Sequence, residues 1–327
     1  MCTLEKTGNI FYLTLTGDGE HRLNPTLIAN LRSSLSQVKS QAVKGSVLIT
    51  KAEGRFFSNG FDLKYAQAGG SPQAARDRLL NMVDLFKPLV ADFMCLPIPT
   101  IAAVTGHAAA AGLLLAMSHD YVTMRSDKSV MYMSELDIGM TLPDYFTAMI
   151  RSKVGSGGGR RNLVLKAAKI RAEEAVMMGL VDSAHPTTEE TVDAALTIAE
   201  ALGKKRWDGK AYAEIRKSLV PELCALLGLK DVAVMPSRLA KAFWLRLLVE
   251  GFVWESYMED SFSLIFKVGI VYNCGQTYLF LTIGKKEQRP LFSKTTLSRL
   301  EVSWFWLATL LIMSFGVPTS RPSGNRS

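Results

Sequence analysis

Cysteine is scarce in this chain of 327 residues: Cys2, Cys95, Cys224 and Cys274, with no CxxC pair among them. That spacing excludes a disulfide scaffold, and histidine is too sparse nearby to complete a zinc site, so no metal is expected. A reduced intracellular setting follows as the economical expectation. The amino terminus, Met-Cys-Thr-Leu-Glu-Lys, lacks both the apolar core of a secretory leader and the arginine-rich amphipathic pattern of a transit peptide. Long low-complexity runs are missing too, which argues against wholesale disorder. Basic residues are not gathered into a patch interleaved with aromatics, so nucleic acid is not an expected partner. The net charge of +8 still suits a polyanionic small molecule.

What is present is 48% hydrophobic residues, enough to build one large domain or two ordinary ones. Ile10–Thr16 is β-prone. Asn24-Pro25 opens a helix to about Lys39, with Leu27, Leu31 and Leu35 on one face. Ser46–Thr50 is a short buried strand, and residues 51–71 form a loop-like region rich in glycine and aromatics. A long helix covers Pro72 to about Met94, stopped by Pro97 and Pro99. Thr100–Val104 and Asp120–Met124 are further strands. Residues 143–203 are mainly helical, broken at Gly155–Gly159 and at Ala184-His-Pro186, and a last helix runs from Gly209 to about Leu227. Strand and helix alternate, so the fold class is α/β with helices outside a sheet, and the loops after the strands are the places to look for a ligand site.

Three stretches carry candidate chemistry. In Phe56-Phe-Ser-Asn-Gly-Phe-Asp-Leu63, Gly60 permits a sharp turn that aims the N–H of Phe61 at a ligand, and Asp62 can tie the loop down. A generic glycine turn explains the same letters. In Ala102–Ala116, tiny residues run from a strand into an apolar helix at Gly112–Met117, and Ala111 at its start has a free N–H. Close packing of an alanine-rich helix is the competing reading. Two backbone donors from separate loops, Phe61 and Ala111, outline an oxyanion hole. Third, Glu135 in Met133-Ser-Glu-Leu-Asp-Ile-Gly139 sits among apolar residues, where desolvation would raise its pKa and make it a base near neutral pH. An exposed glutamate on a strand or loop is the alternative, and Asp137, on the same face in a strand, is the rival acid. Asp144, His107 and His119 are expected to be structural or solvent-facing.

Together, Phe57-Ser-Asn-Gly-Phe-Asp-Leu63, Gly106-His-Ala-Ala-Ala-Ala-Gly112, Ser118-His-Asp-Tyr121 and Tyr132-Met-Ser-Glu-Leu-Asp-Ile-Gly139 resemble, in order and spacing, the enoyl-CoA hydratase/isomerase (crotonase) superfamily. Residues 1–229 are similar to its plant peroxisomal Δ3,Δ2-enoyl-CoA isomerase group. The resemblance implies a spiral of ββα repeats with a helical C-terminal region, and a homotrimer or dimer of trimers. It implies that Phe61 and Ala111 hold the thioester oxygen of an acyl-CoA. It places Leu114 where the superfamily's hydratases carry the first of two water-handling glutamates, the second being Glu135. One carboxylate then remains, which suffices to move a proton from C2 to C4 of a 3-enoyl-CoA. Coenzyme A is part of the substrate, no separate cofactor is implied, and Arg22, Asn59, Gly60, Lys64, Gly112 and Leu114 are the expected substrate contacts. A hydratase, a CoA hydrolase and a catalytically impaired CoA-binding relative are the alternatives.

Beyond about Lys230 the text changes. Four of the five tryptophans (Trp244, Trp254, Trp304 and Trp306) lie there, with two uncharged apolar runs of 16 residues, Val268–Ile283 and Val302–Val317. Both are shorter than the roughly 20 residues of a spanning helix, so membrane contact is expected only if this tail belongs to the working protein. Ser237-Arg238-Leu239 has the form of a peroxisomal address, which works only at a chain terminus. The expected organisation is a core domain over 1–200, a helical segment over 201–239, and an atypical tail over 240–327 added by read-through, an alternative exon or a gene-model error. The expected location is peroxisomal for a chain ending at Leu239, and cytosolic or membrane-associated otherwise.

Overall fold

The computed structural model describes residues 1–230 and 232, and the backbone of Leu264–Asn273 and Gln276–Lys285. The chain divides into two units, Met1–Val234 and Met235–Ser327.

The first unit opens with a hairpin. β1 (Cys2–Thr7) pairs antiparallel with β2 (Ile10–Leu15) through a turn at Gly8, whose φ is +59°. Sequence reading missed β1: only Cys2 and Leu4 of its side chains are even partly covered, too few to give a strand its alternating signature. α1 (Pro25–Gln41) follows, started by the Asn24 side chain accepting from the N–H of Leu27 and by proline in the first turn. Leu27, Ile28, Leu31, Leu35 and Val38 form its buried stripe.

From here the chain winds in repeated turns. β3 (Val47–Ala52) leads to β4 (Phe56–Ser58), α2 (Leu63–Gln67) and α3 (Pro72–Met94); β5 (Thr100–Val104) to β6 (His107–Ala109) and α4 (Ala111–Met117); β7 (Tyr121–Arg125) to β8 (Met131–Tyr132) and α5 (Asp144–Lys153). The first strand of each turn enters a six-stranded sheet, order β1-β2-β3-β5-β7-β9, where β9 is Ser183–His185. The second strand enters a three-stranded parallel sheet, β4-β6-β8. The result is the expected spiral of ββα units.

Alternation along the large sheet separates two cores. Leu48, Ala102, Val104, Val122 and Met124 face the interior of the spiral with Phe11, Leu13 and Leu15. Val47, Ile49, Ile101 and Ala103 face the other way, against Ala195 and Ala199 of α8 (Thr188–Lys205). Each large side chain buried in this way contributes about 1.5–3 kcal/mol.

Several expectations need correction. Residues 51–71 are not all loop, since β4 and α2 lie inside them. The glycine run does not simply interrupt a helix: Gly157–Arg160 is itself a helical turn, α6, capped by Ser156, and α7 (Ala172–Met177) follows. The last helix is two, α9 (Gly209–Ser218) and α10 (Pro221–Leu226), because Pro221 lacks the N–H that would continue the first.

A buried polar network ties α9 to the rest. Arg216, 7% exposed, donates to both carboxylate oxygens of Asp120 and to the carbonyls of Phe93, Leu96 and Ile98. Asp120 also accepts from the N–H and hydroxyl of Thr100. Burial pushes the Asp120 carboxyl up, but the Arg216 charge and these hydrogen bonds prevail and hold it below the usual range.

In the second unit β10 (Leu264–Asn273) pairs antiparallel with β11 (Gln276–Lys285), so the run Val268–Ile283 is shared between two strands. Ser237-Arg238-Leu239 and Val302–Val317 lie outside the described residues. Among the described residues, no helix is long and apolar enough to cross a membrane.

Candidate active site

The small sheet gathers the three sequence motifs. β4 ends at Ser58 and runs into Asn59-Gly60-Phe61; β6 ends at Ala109 and runs into Ala110-Ala111; β8 ends at Tyr132, three residues before Glu135. The strands are parallel, so these continuations emerge at one edge of the sheet.

Phe61 is presented by its neighbours. Leu23 bridges it in parallel fashion: the N–H of Leu23 donates to Gly60 O at 2.8 Å, and the N–H of Asp62 donates to Leu23 O at 3.1 Å. In such pairing the residue between them turns its own N–H to the opposite side, away from Leu23. Gly60 makes the approach possible. Its φ is +71°, and a Cβ there would stand 3.1 Å from Ala109 O and Ala110 Cβ and 3.5 Å from Ala111 N. The Phe61 ring is clasped by Phe86 (5.7 Å, edge-on) and Phe146 (6.3 Å, stacked). Asp62 does tie the loop down, by capping α2: its Oδ1 accepts from the N–H of Tyr65 at 3.0 Å.

Ala111 is presented by strain. Ala110 has φ 51° and ψ −125°, a region costly for a residue with a Cβ, by about 1–3 kcal/mol. The kink lets the chain leave β6, where Ala110 N–H donates to Tyr132 O at 2.9 Å, and start α4 at once. Ala111 heads that helix, and its N–H, like that of Phe61, makes no hydrogen bond among the described residues. Two free donors therefore lie on the β4 and β6 continuations, which approach each other at Gly60.

Glu135 is neither in a strand nor in an exposed loop. It precedes a 3-10 turn, Leu136–Ile138, in right-handed helical conformation. Its Oε2 is buried without a hydrogen-bond partner. Burial pushes the carboxyl above the usual glutamate range, and the backbone N–H groups of Glu135 and Ser134 offset part of this. Asp137 is exposed on the same turn; the strand that would have paired it with Glu135 does not form.

The remaining candidates divide. Gly112 is closed in: a Cβ there would be 2.2 Å from Ser58 O, so its observed part is to let α4 lie against β4. Leu114 is fully buried on α4. Asn59 is half-buried, its N–H given to Glu20 O at 2.8 Å. Arg22 is half-buried and paired with Glu20 at 2.6 Å. Lys64 is exposed in the first turn of α2. His119 is wholly buried, its Nε2 2.7 Å from Thr50 Oγ1, and His107 is half-buried edge-on to Phe56. Sequence reading missed the Phe86–Phe146 clasp and the part of residues 19–23 in holding the loop; single aromatics on two distant helices, and a turn pairing through its backbone, leave no local pattern.

Comparison with known proteins places the chain in a family. The family model described as enoyl-CoA hydratase/isomerase matches residues 5–223. "Enoyl-CoA delta isomerase 2, peroxisomal" of Arabidopsis thaliana is 59% identical over 70% of this chain and 96% of its own length. "Enoyl-CoA delta isomerase 3" of the same plant is 56% identical over the same shares. Among solved structures, an apo enoyl-CoA isomerase of Mycobacterium tuberculosis aligns with TM-score 0.61 at 21% identity, covering 69% of this chain and 93% of that one. That likeness concerns the fold. With its ββα spiral, and with a family match over more than half its length, the chain belongs to the enoyl-CoA hydratase/isomerase family.

Proposed function

We propose that this protein is a Δ3,Δ2-enoyl-CoA isomerase, which moves the double bond of a 3-enoyl-CoA to give the trans-2-enoyl-CoA. The observation that carries the reading is the buried, unpartnered Oε2 of Glu135, three residues past the end of β8, in the same small sheet whose other two strands lead to the two free backbone donors. The names of the relatives at 59% and 56% identity support it.

In the proposed reaction the thioester oxygen accepts from the N–H groups of Phe61 and Ala111. Glu135 takes a proton from C2, and the electron pair spreads into a dienolate held by the two donors. The protonated Glu135 returns a proton at C4, and the C=C bond now lies between C2 and C3. One proton leaves and one arrives with no net redox change, so the steps call for neither a metal nor a redox cofactor. Leu114 places no second carboxylate on α4 to manage water, which favours isomerisation over hydration. Arg22 and Lys64 are cations suited to the phosphates of the CoA moiety.

The test is to give the full-length chain a 3-enoyl-CoA and follow 2-enoyl-CoA formation, and in parallel to give it a 2-enoyl-CoA and look for the 3-hydroxyacyl product. Turnover only in the second assay would overturn the reading. We further propose that the protein works as a homotrimer or a dimer of trimers, in the peroxisome, in β-oxidation of unsaturated fatty acids. Large exposed apolar side chains such as Leu165 (69%) and Met177 (82%) support an assembly, which light scattering measures. The location named for a relative supports the compartment; imaging an N-terminally tagged full chain beside one ending at Leu239 tests it.

A further inference from the structure

The turn between β2 and α1 is fastened to the Phe61 loop more heavily than a connecting turn requires. Phe56 N–H donates to Gly19 O at 3.0 Å, Asn59 N–H to Glu20 O at 2.8 Å, and Leu23 N–H to Gly60 O. The hydroxyl of Ser58 donates to His21 O at 2.8 Å. In the middle of this hem lies His21, only 2% exposed.

Two local penalties meet at this residue. Its φ is +47°, in the left-handed region that costs a β-carbon residue about 1–2 kcal/mol. Its Nδ1 lies 2.9 Å from Phe56 O, and a carbonyl can only accept, so Nδ1 carries the proton. Nε2 is then a bare acceptor, and it is buried with no partner. A buried unsatisfied acceptor costs about 1–3 kcal/mol. Burial also keeps the imidazole pKa below the ordinary histidine value, against the pull of the Phe56 carbonyl and of Asp18, which favours the neutral ring. Strain and an orphaned polar atom at one residue are what a site keeps when that residue holds something in place.

We propose that His21 is a positioning residue for the oxyanion donor: through Nδ1–H to Phe56 O, and through its own carbonyl to Ser58, it locks the start of the strand whose continuation presents the N–H of Phe61. This rests on the isomerase reading of the site. His21 touches no reacting atom. It fixes the direction of a donor whose misplacement by about 1 Å costs on the order of a hundredfold in rate.

The experiment compares His21→Ala and His21→Asn in the full-length chain. Asparagine tolerates positive φ, and its Nδ2 occupies the place of the imidazole Nδ1, so it restores the bond to Phe56 O. Three quantities are read: kcat and KM on a 3-enoyl-CoA, thermal unfolding, and the absorption band of bound dimethylaminocinnamoyl-CoA, which moves to longer wavelength when the thioester carbonyl is polarised. In the alanine variant kcat is expected to fall about ten- to a hundredfold with KM within about twofold, and the band shift to shrink; asparagine recovers most of both. An alanine variant with wild-type kcat and band shift overturns the proposal, as does an asparagine variant as impaired as alanine. A wild-type chain with neither turnover nor band shift overturns instead the site reading beneath it. Should the alanine variant not fold, Ser58→Ala removes a second stitch of the same hem, and an unchanged kcat and band shift there would sink the idea.

Discussion

Ala110 gives its N–H to the carbonyl of Tyr132 across 2.9 Å, and through that bond the turn carrying one donor lies beside the strand leading to Glu135. The proposed base and the proposed oxyanion donors thus follow the three strands of one small sheet. Glu135→Gln keeps the shape and removes the proposed base. It is expected to lower kcat on a 3-enoyl-CoA by at least about a hundredfold, with thermal stability unchanged or raised, since a buried, unpartnered carboxyl is replaced by a neutral amide.

The pH dependence of the reaction follows from the same burial. In the proposed mechanism Glu135 acts deprotonated, and burial favours its protonated form. Activity therefore rises with pH through a limb displaced above the ordinary glutamate value of 4.5. A kcat/KM profile whose acidic limb lies at or below that value would contradict the assignment.

Gly60 and Gly112 should respond to an added methyl in different ways. At Gly112 the methyl meets Ser58 O at 2.2 Å, a backbone clash with no side chain to yield. Gly112→Ala is expected to cost about 3 kcal/mol or more, read as a large drop in the denaturant midpoint. At Gly60 the contacts are near 3.1 Å and φ is +71°. Gly60→Ala is expected to cost about 1–2 kcal/mol while reducing kcat more than tenfold, because the strain falls beside Phe61.

Arg216→Met leaves Asp120 buried and unpaired. Breaking such a pair costs about 3–5 kcal/mol, and the added change Asp120→Asn is expected to recover a substantial part. Equal stabilities for the single and double variants, measured by urea unfolding, would show that the pair is not coupled.

Acid should weaken the fold before the carboxylates titrate. His119 is fully buried, with its pKa lowered from 6.5 to about 4 by burial, against the Leu115 carbonyl and Asp120. Between those values the unfolded chain binds the proton and the folded one does not, so stability falls as pH drops through this window. His21 and His107 are shifted in the same direction, also by burial. His119→Gln is expected to flatten the slope of Tm against pH between about 6.5 and about 4.

Long, well-punctuated elements were legible. The apolar spacing from Pro72 and the stops at Pro97 and Pro99 predict a helix over Pro72–Met94, and the structure has it with those ends. Thr100–Val104 was equally clear. The strands that build the site were not. β4 and β6 have three residues and β8 has two, too few to show a period, and Ala108 and Ala109 give no contrast between faces. The close backbone approaches at Gly60 and Gly112 were legible because tiny residues mark such places. The hem along 19–23 was not, because its bonds are made almost wholly by main-chain groups that any residue type supplies. Glu135 was singled out from its apolar surroundings, while the 3-10 turn that follows it and ends at Gly139 with φ +68° left no signal of its own.

Arg216 closes the carbonyls of Phe93, Leu96 and Ile98 from about 120 positions further along the chain. During synthesis, at roughly 5–20 residues per second, several seconds pass between the emergence of those carbonyls and that of their donor. Through that interval the first two hundred residues hold an unfinished interior, with Asp120 awaiting its cation. The polar interior of the first unit is therefore complete only once α9 docks.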